Sequence, residues 1–179
     1  MAQKYLEVYE RVAELKETVE TMIHPRMLNG IQEIAQCNLI DEWQIWLRRA
    51  EQGRGTVLGV IASQLQQWIN ARIGLPFRST QIISGHGCFG KFLHRIGRET
   101  SSACWHCDSV CDSASHTLRD CPAWAIERAN LLREVGDLSW ETLIRALYRD
   151  KGRSAFVTFA EKVMRRKENT ERLREGMPM

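Results

Sequence analysis

Four residues able to hold a soft metal ion fall close together in this chain: Cys104, Cys107, His116 and Cys121, in the pattern C-x2-C-x8-H-x4-C. A C-x2-C pair lets two thiolates reach one ion from a single tight turn, and a histidine shortly before a cysteine returns a second pair from the edge of a helix. Three sulfurs and one imidazole complete a tetrahedron with no position left for water, so the expectation is a structural Zn²⁺ site and not a catalytic one. His106 and Cys111 lie inside the same loop and compete for the ion. The outer four are favoured: His106 sits between the paired cysteines, where it would strain the turn, and Cys111 has no partner at two-residue spacing. A zinc deaminase would need H-x-E and P-C-x-x-C elements, and neither occurs.

The segments that must position this loop read as helices. Tyr5, Val8, Val12, Leu15, Val19 and Met22 alternate steps of three and four and predict an amphipathic helix, ended by His24-Pro25 because proline disfavours helical geometry in the residue before it. Leu39 to Glu51 predicts a second helix with Trp43 and Trp46 in the core, and Ile61 to Arg72 a third. From Thr80 an apolar turn runs into Gly85-His86-Gly87, followed by a short helix burying Phe89, Phe92, Leu93 and Ile96. Beyond the loop, Pro122 opens a helix that stops at Gly136, Asp137 precedes another ending near Gly152, and a last helix buries Phe156, Phe159, Ala160 and Val163. Its continuation, R-R-K-E-N-T-E-R-L-R-E from Arg165, reads as a tail that is frayed or awaits a partner. No segment has a clear strand pattern. The expected fold is mainly α, a helical bundle with a small zinc-stabilised Cys-Cys-His-Cys knuckle inserted between helices. It divides into an N-terminal helical segment (1–55), a basic helical segment with a Gly-His-Gly turn (56–100), the knuckle (101–124) and C-terminal helices with a basic tail (125–179).

Composition narrows the function classes. With 179 residues, 44% hydrophobic and 26% charged, the chain can bury a core and is no disordered tail. The N-terminus lacks a secretory pattern, and the longest uninterrupted apolar run, Val57 to Ala62, is far too short to span a membrane. The expectation is a soluble intracellular protein, the nucleus included, with no membrane partner and with its six cysteines kept reduced.

The net charge of +3 conceals an uneven distribution. Residues 53–98 carry six Lys/Arg and no acid, residues 99–144 carry three against eight, and residues 145–179 carry ten against five. The metal loop is acidic and its flanks are basic, as a polyanion-binding surface would need. Lys91, Arg95 and Arg98 fall at helical spacing on one face and, with Arg78, are the candidate phosphate contacts. His86 and His94 lack any carboxylate in their segment to orient them as bases, so structural roles are expected for both.

The run S-G-H-G-C-F-G-K-F-L-H-R-I-G, followed by the C-x2-C-x8-H-x4-C motif and P-A-W, resembles the segment that follows the polymerase domain in reverse transcriptases of non-LTR (LINE-like) retrotransposons. The resemblance extends upstream through Leu65, Trp68 and Thr80-Gln81 and downstream to F-A-E-K-V-M-R-R-K-E at Phe159 to Glu168, weakening before Gly53. In that family the polyprotein also carries an endonuclease and a polymerase with paired catalytic aspartates, and the Cys-Cys-His-Cys element is thought to help hold template RNA or target DNA. The resemblance therefore implies a nucleic-acid partner, RNA or DNA, and an upstream reverse transcriptase domain. No Asp-Asp pair occurs in this chain, so no polymerase or nuclease activity is expected of it alone. Cys111, a third cysteine in the loop, departs from the family pattern. The competing reading is a zinc-braced helical scaffold for protein interactions, which the acidity of the knuckle favours.

Overall fold

A computed structural model describes residues 25–50 and 57–176, with Glu10 and Ala13 ahead of them. Apart from Glu10 and Ala13, the helix expected from Tyr5 to Met22 lies outside the described residues. Helices dominate, and no strand occurs among the described residues.

Helix α1 (Pro25–Ala50) starts at Pro25 and not at Leu39. Proline suits a first helical turn because its missing N–H would have no partner there. An internal Gly30 costs only about 1 kcal/mol relative to alanine, too little to stop the helix. Of its apolar residues Ile40 is buried, whereas Trp43 and Trp46 are 39% and 57% exposed, so the expected tryptophan core is not formed. Next come α2 (Val57–Ser63) and α3 (Leu65–Asn70), two helices where one was expected. The Ser63 hydroxyl donates to the Val60 carbonyl at 2.7 Å, the acceptor an unbroken helix would offer to Gln64. The Gln64 N–H bonds Ile61 instead, and the chain breaks there. Arg72, the expected end of the single helix, lies just past α3, exposed and left-handed at φ 47°.

The stretch read as an apolar turn is a helix, α4 (Phe77–Ser84), started by Pro76 and burying Ile82 and Ile83. A short α5 (Gly90–Arg95) follows, with Phe89 and Leu93 buried. Ile96 falls just past its end, where the helical periodicity no longer applies, and is 50% exposed rather than buried. After the metal loop come α6 (Ala125–Val135), α7 (Trp140–Leu147) and α8 (Asp150–Arg174). Ser139 caps α7, its hydroxyl accepting from the Thr142 N–H at 3.2 Å. Gly152 does not end α7; it sits in the first turn of α8, where a Cβ would lie 2.5 Å from the Ala146 carbonyl oxygen.

Helix α8 is the axis of the fold and packs on α4, α6 and α7. Its Phe156, Phe159, Ala160, Val163 and Met164 join Trp124, Leu118, Leu131, Leu143 and Ile144 in one core. The basic tail does not fray. Lys167 and Glu171 continue the stripe of Phe156, Ala160 and Val163 at helical spacing and are both buried, Lys167 with 3% of its surface exposed. No helix among the described residues is long and apolar enough to cross a membrane.

Candidate metal centre

The metal loop leaves α5 and doubles back on itself. Asp112 N–H donates to the Ser102 carbonyl at 2.7 Å and Cys104 N–H to the Ser109 carbonyl at 2.8 Å, which closes the turn holding Cys104 and Cys107. His116 begins a single π-helical turn (His116–Asp120), in which Cys121 N–H bonds the His116 carbonyl at 2.9 Å. That i→i−5 bond sets His116 and Cys121 one turn apart, on the same side, where an α-turn would splay them. Pro122 then opens a 3₁₀ turn (Pro122–Trp124) leading into α6.

The four donor atoms of Cys104, Cys107, His116 and Cys121 lie within 4.8 Å of one another. Cys104 Sγ is 4.0 Å from Cys121 Sγ, and Cys107 Sγ is 3.3 Å from His116 Nε2. A tetrahedral ion with metal–sulfur bonds of about 2.3 Å would separate its sulfurs by about 3.8 Å, so the donors are close enough to share one metal ion. Burial pushes the Cys121 thiol up to about 12 and raises Cys104 as well, while main-chain N–H groups of Ala123 and His106 work the other way. A cation among the sulfurs would favour the thiolates in the same sense as those N–H groups. His106 and Cys111 stand outside the cluster. The His106 ring packs on Trp124 at 4.7 Å and burial lowers it to about 4, whereas Cys111 is exposed.

Residues behind the loop, which the spacing argument missed, fix its position. Asp112 is buried and accepts from Gly90 N–H at 3.0 Å, the Thr117 hydroxyl at 3.1 Å and Lys167 Nζ at 2.7 Å. Gly90 is required at that contact, since a Cβ would come within 2.5 Å of the Ala103 carbonyl oxygen. From α6, Arg128 donates to the carbonyls of Leu118, at 3.0 Å, and Cys121, closing the far side of the loop.

The four candidate phosphate contacts fall into two kinds. Arg78 is held by Glu168 at 2.6 Å and Glu161 at 3.0 Å, and Arg98 by Glu171 at 3.4 Å and Glu175. Lys91 and Arg95 are exposed on α5 without an ion pair among the described residues, and the Arg95 guanidinium lies 5.1 Å from the Phe92 ring. The loop also presents Trp105, 55% exposed, with the Arg174 guanidinium 3.9 Å from its ring centroid. His86 packs edge-on against Phe92 at 4.9 Å, and His94 Nδ1 lies 3.1 Å from the Glu99 carbonyl oxygen.

No family model matches the chain, and no solved structure matches it. A retrovirus-related Pol polyprotein from type-1 retrotransposable element R1 4 of Nasonia vitripennis is 29% identical over 111 residues, 60% of this chain and 26% of that protein. The chain thus spans about a quarter of the length of the curated relative it matches. That likeness supports a retrotransposon-related origin for a chain that carries, within a helical fold, a Cys/His cluster able to hold a metal.

Proposed function

We propose that the chain is a zinc-binding, nucleic-acid-binding C-terminal module of a non-LTR retrotransposon reverse transcriptase polyprotein, helping to hold template RNA or target DNA beside an upstream polymerase domain. The observation that carries this reading is the convergence of three thiols and one imidazole in a loop whose Asp112 docks α5, with its exposed Lys91 and Arg95. Zn²⁺ suits that donor set because it accepts tetrahedral sulfur and nitrogen ligation without redox change. The role is architectural: the ion holds the loop, and the loop holds α5. Lys91 and Arg95 supply charge for phosphates, while Arg78 and Arg98 share theirs with glutamates and contribute less. We assign no catalysis to this chain. A role on template or target would place it inside the cell and, for target DNA, in the nucleus.

Fluorescence anisotropy with labelled single strands and duplexes at several salt concentrations tests the reading. Replacing Lys91 and Arg95 by Gln should weaken single-strand binding and lower the slope of log K against log salt by about 1.4, two phosphates at about 0.7 each. Equal losses from Gln at Lys4, Arg11 and Lys16 would mean that binding follows net charge.

A second reading, a protein-interaction scaffold, draws on an open apolar groove of about 660 Å³ between α1 and α3, walled by Trp43, Trp46, Leu65 and Trp68. The absence of binding to any nucleic acid at low salt would favour it.

A further inference from the structure

The metal loop inverts the usual distribution of side chains. Asp112 and Thr117 are buried in it, while Trp105 and Val110 face outward. Trp105 stands between two of the clustered cysteines, on a turn closed by main-chain hydrogen bonds. One face of the indole is covered by the Arg174 guanidinium at 3.9 Å, and Arg174 is itself fixed by Glu99 at 2.6 Å. Trp105 remains 55% exposed with that cation in place, which leaves ring surface free for a second partner.

A flat aromatic surface held on one side by a cation, on a rigid turn with lysine and arginine nearby, suits another flat π-system joined to negative charge. Gly90 docks against Ala103, two residues from Trp105, and Lys91 N–H bonds the Asp112 carbonyl at 2.9 Å, so the free charge of α5 starts beside the same loop. From this we infer that Trp105 is a base-stacking platform, on whose free surface an unpaired base of a single-stranded nucleic acid lies while Lys91 takes a neighbouring phosphate. The inference rests on the nucleic-acid reading above and adds to it the strandedness of the ligand and the residue that meets the base. Bases in a duplex are already stacked and cannot lie on the ring, whereas any unpaired base has a face to offer. The platform therefore selects single strands with little regard to sequence.

The test compares a fluorescein-labelled twelve-nucleotide single strand with the same strand made abasic throughout, which keeps the phosphates and removes the bases, and with a duplex of equal length. The full chain should bind the base-bearing strand about ten-fold more tightly than the abasic one, as expected for one stacked base. Trp105→Ala should bind the two strands alike, at the parent's abasic level, and Trp105→Phe should retain most of the difference. Metal content and circular dichroism unchanged in both variants exclude loss of fold as the cause. Parent chain that binds base-bearing and abasic strands equally overturns the platform while leaving nucleic-acid binding intact, as does a Trp105→Ala variant that still prefers bases. Parent chain that binds no probe at low salt overturns the nucleic-acid reading, and the platform with it.

Discussion

The two long helices, α1 of 26 residues and α8 of 25, treat their side chains in opposite ways. Along α1 two tryptophans and two isoleucines are 39–64% exposed, because the helix packs mainly on α2 and α3. Along α8 a lysine and a glutamate lie buried, because α4, α6, α7 and the metal loop surround it. Residue type alone does not decide burial. A lysine can be interior when a carboxylate such as Asp112 meets it, and a tryptophan can be exterior when no second layer is at hand.

The sharpest way to break this contrast is to loosen the metal loop that packs against α8. If the cluster holds zinc as proposed, chelation or Cys107→Ser should cost the loop a stabilisation on the order of 10 kcal/mol. Hydrogen exchange should then rise across residues 102–124 and the second half of α8, and change little in α1. Equal loosening of both helices would show that they belong to one cooperative unit and undo the contrast.

A smaller effect is expected from the interior charge. Lys167→Met leaves Asp112 buried with only Gly90 N–H and the Thr117 hydroxyl as donors and should cost about 3 to 5 kcal/mol in urea unfolding of the metal-loaded protein. A cost below about 1 kcal/mol would mean that the ion pair is not what holds α8 to the loop.

The smallest effect belongs to α1. Trp46→Ala should cost about 1 kcal/mol, the usual scale for a half-exposed site. Trp124→Ala, in the core, should cost about 3 to 5 kcal/mol. Similar losses at the two positions, measured by the same unfolding assay, would show that the α1 face is covered in solution.

The convergence of the four Cys and His donors was legible from spacing because coordination chemistry makes strong local demands: donors on one short loop, two of them in a C-x2-C turn. Much of the helical pattern was legible for the same reason, since Trp140, Leu143, Ile144 and Leu147 reveal α7 by period alone. What spacing could not convey is pairing at a distance. Lys167 meets Asp112 across 55 residues, and Arg78 meets Glu168 across 90. Read alone, each of these charges looks like a solvated surface group. One signal was present in α8: Lys167 and Glu171 hold the stripe's register, and a charge in a core register calls for a partner. For the tryptophans of α1 no such signal exists, because their period is that of a buried face and only the missing neighbour leaves them exposed.

The central place of α8 also sets an order of events during synthesis. At about 5 to 20 residues per second, a ribosome delivers α8 on the order of seconds after α4. Through that interval Ile82, Ile83, Phe89 and Leu118 lack the wall against which they are later buried. Until then the nascent chain shows apolar surface of the kind chaperones bind. Translation that stops before Lys167 yields a product with all four clustered donors in its sequence but without the lysine that pairs with Asp112 behind them.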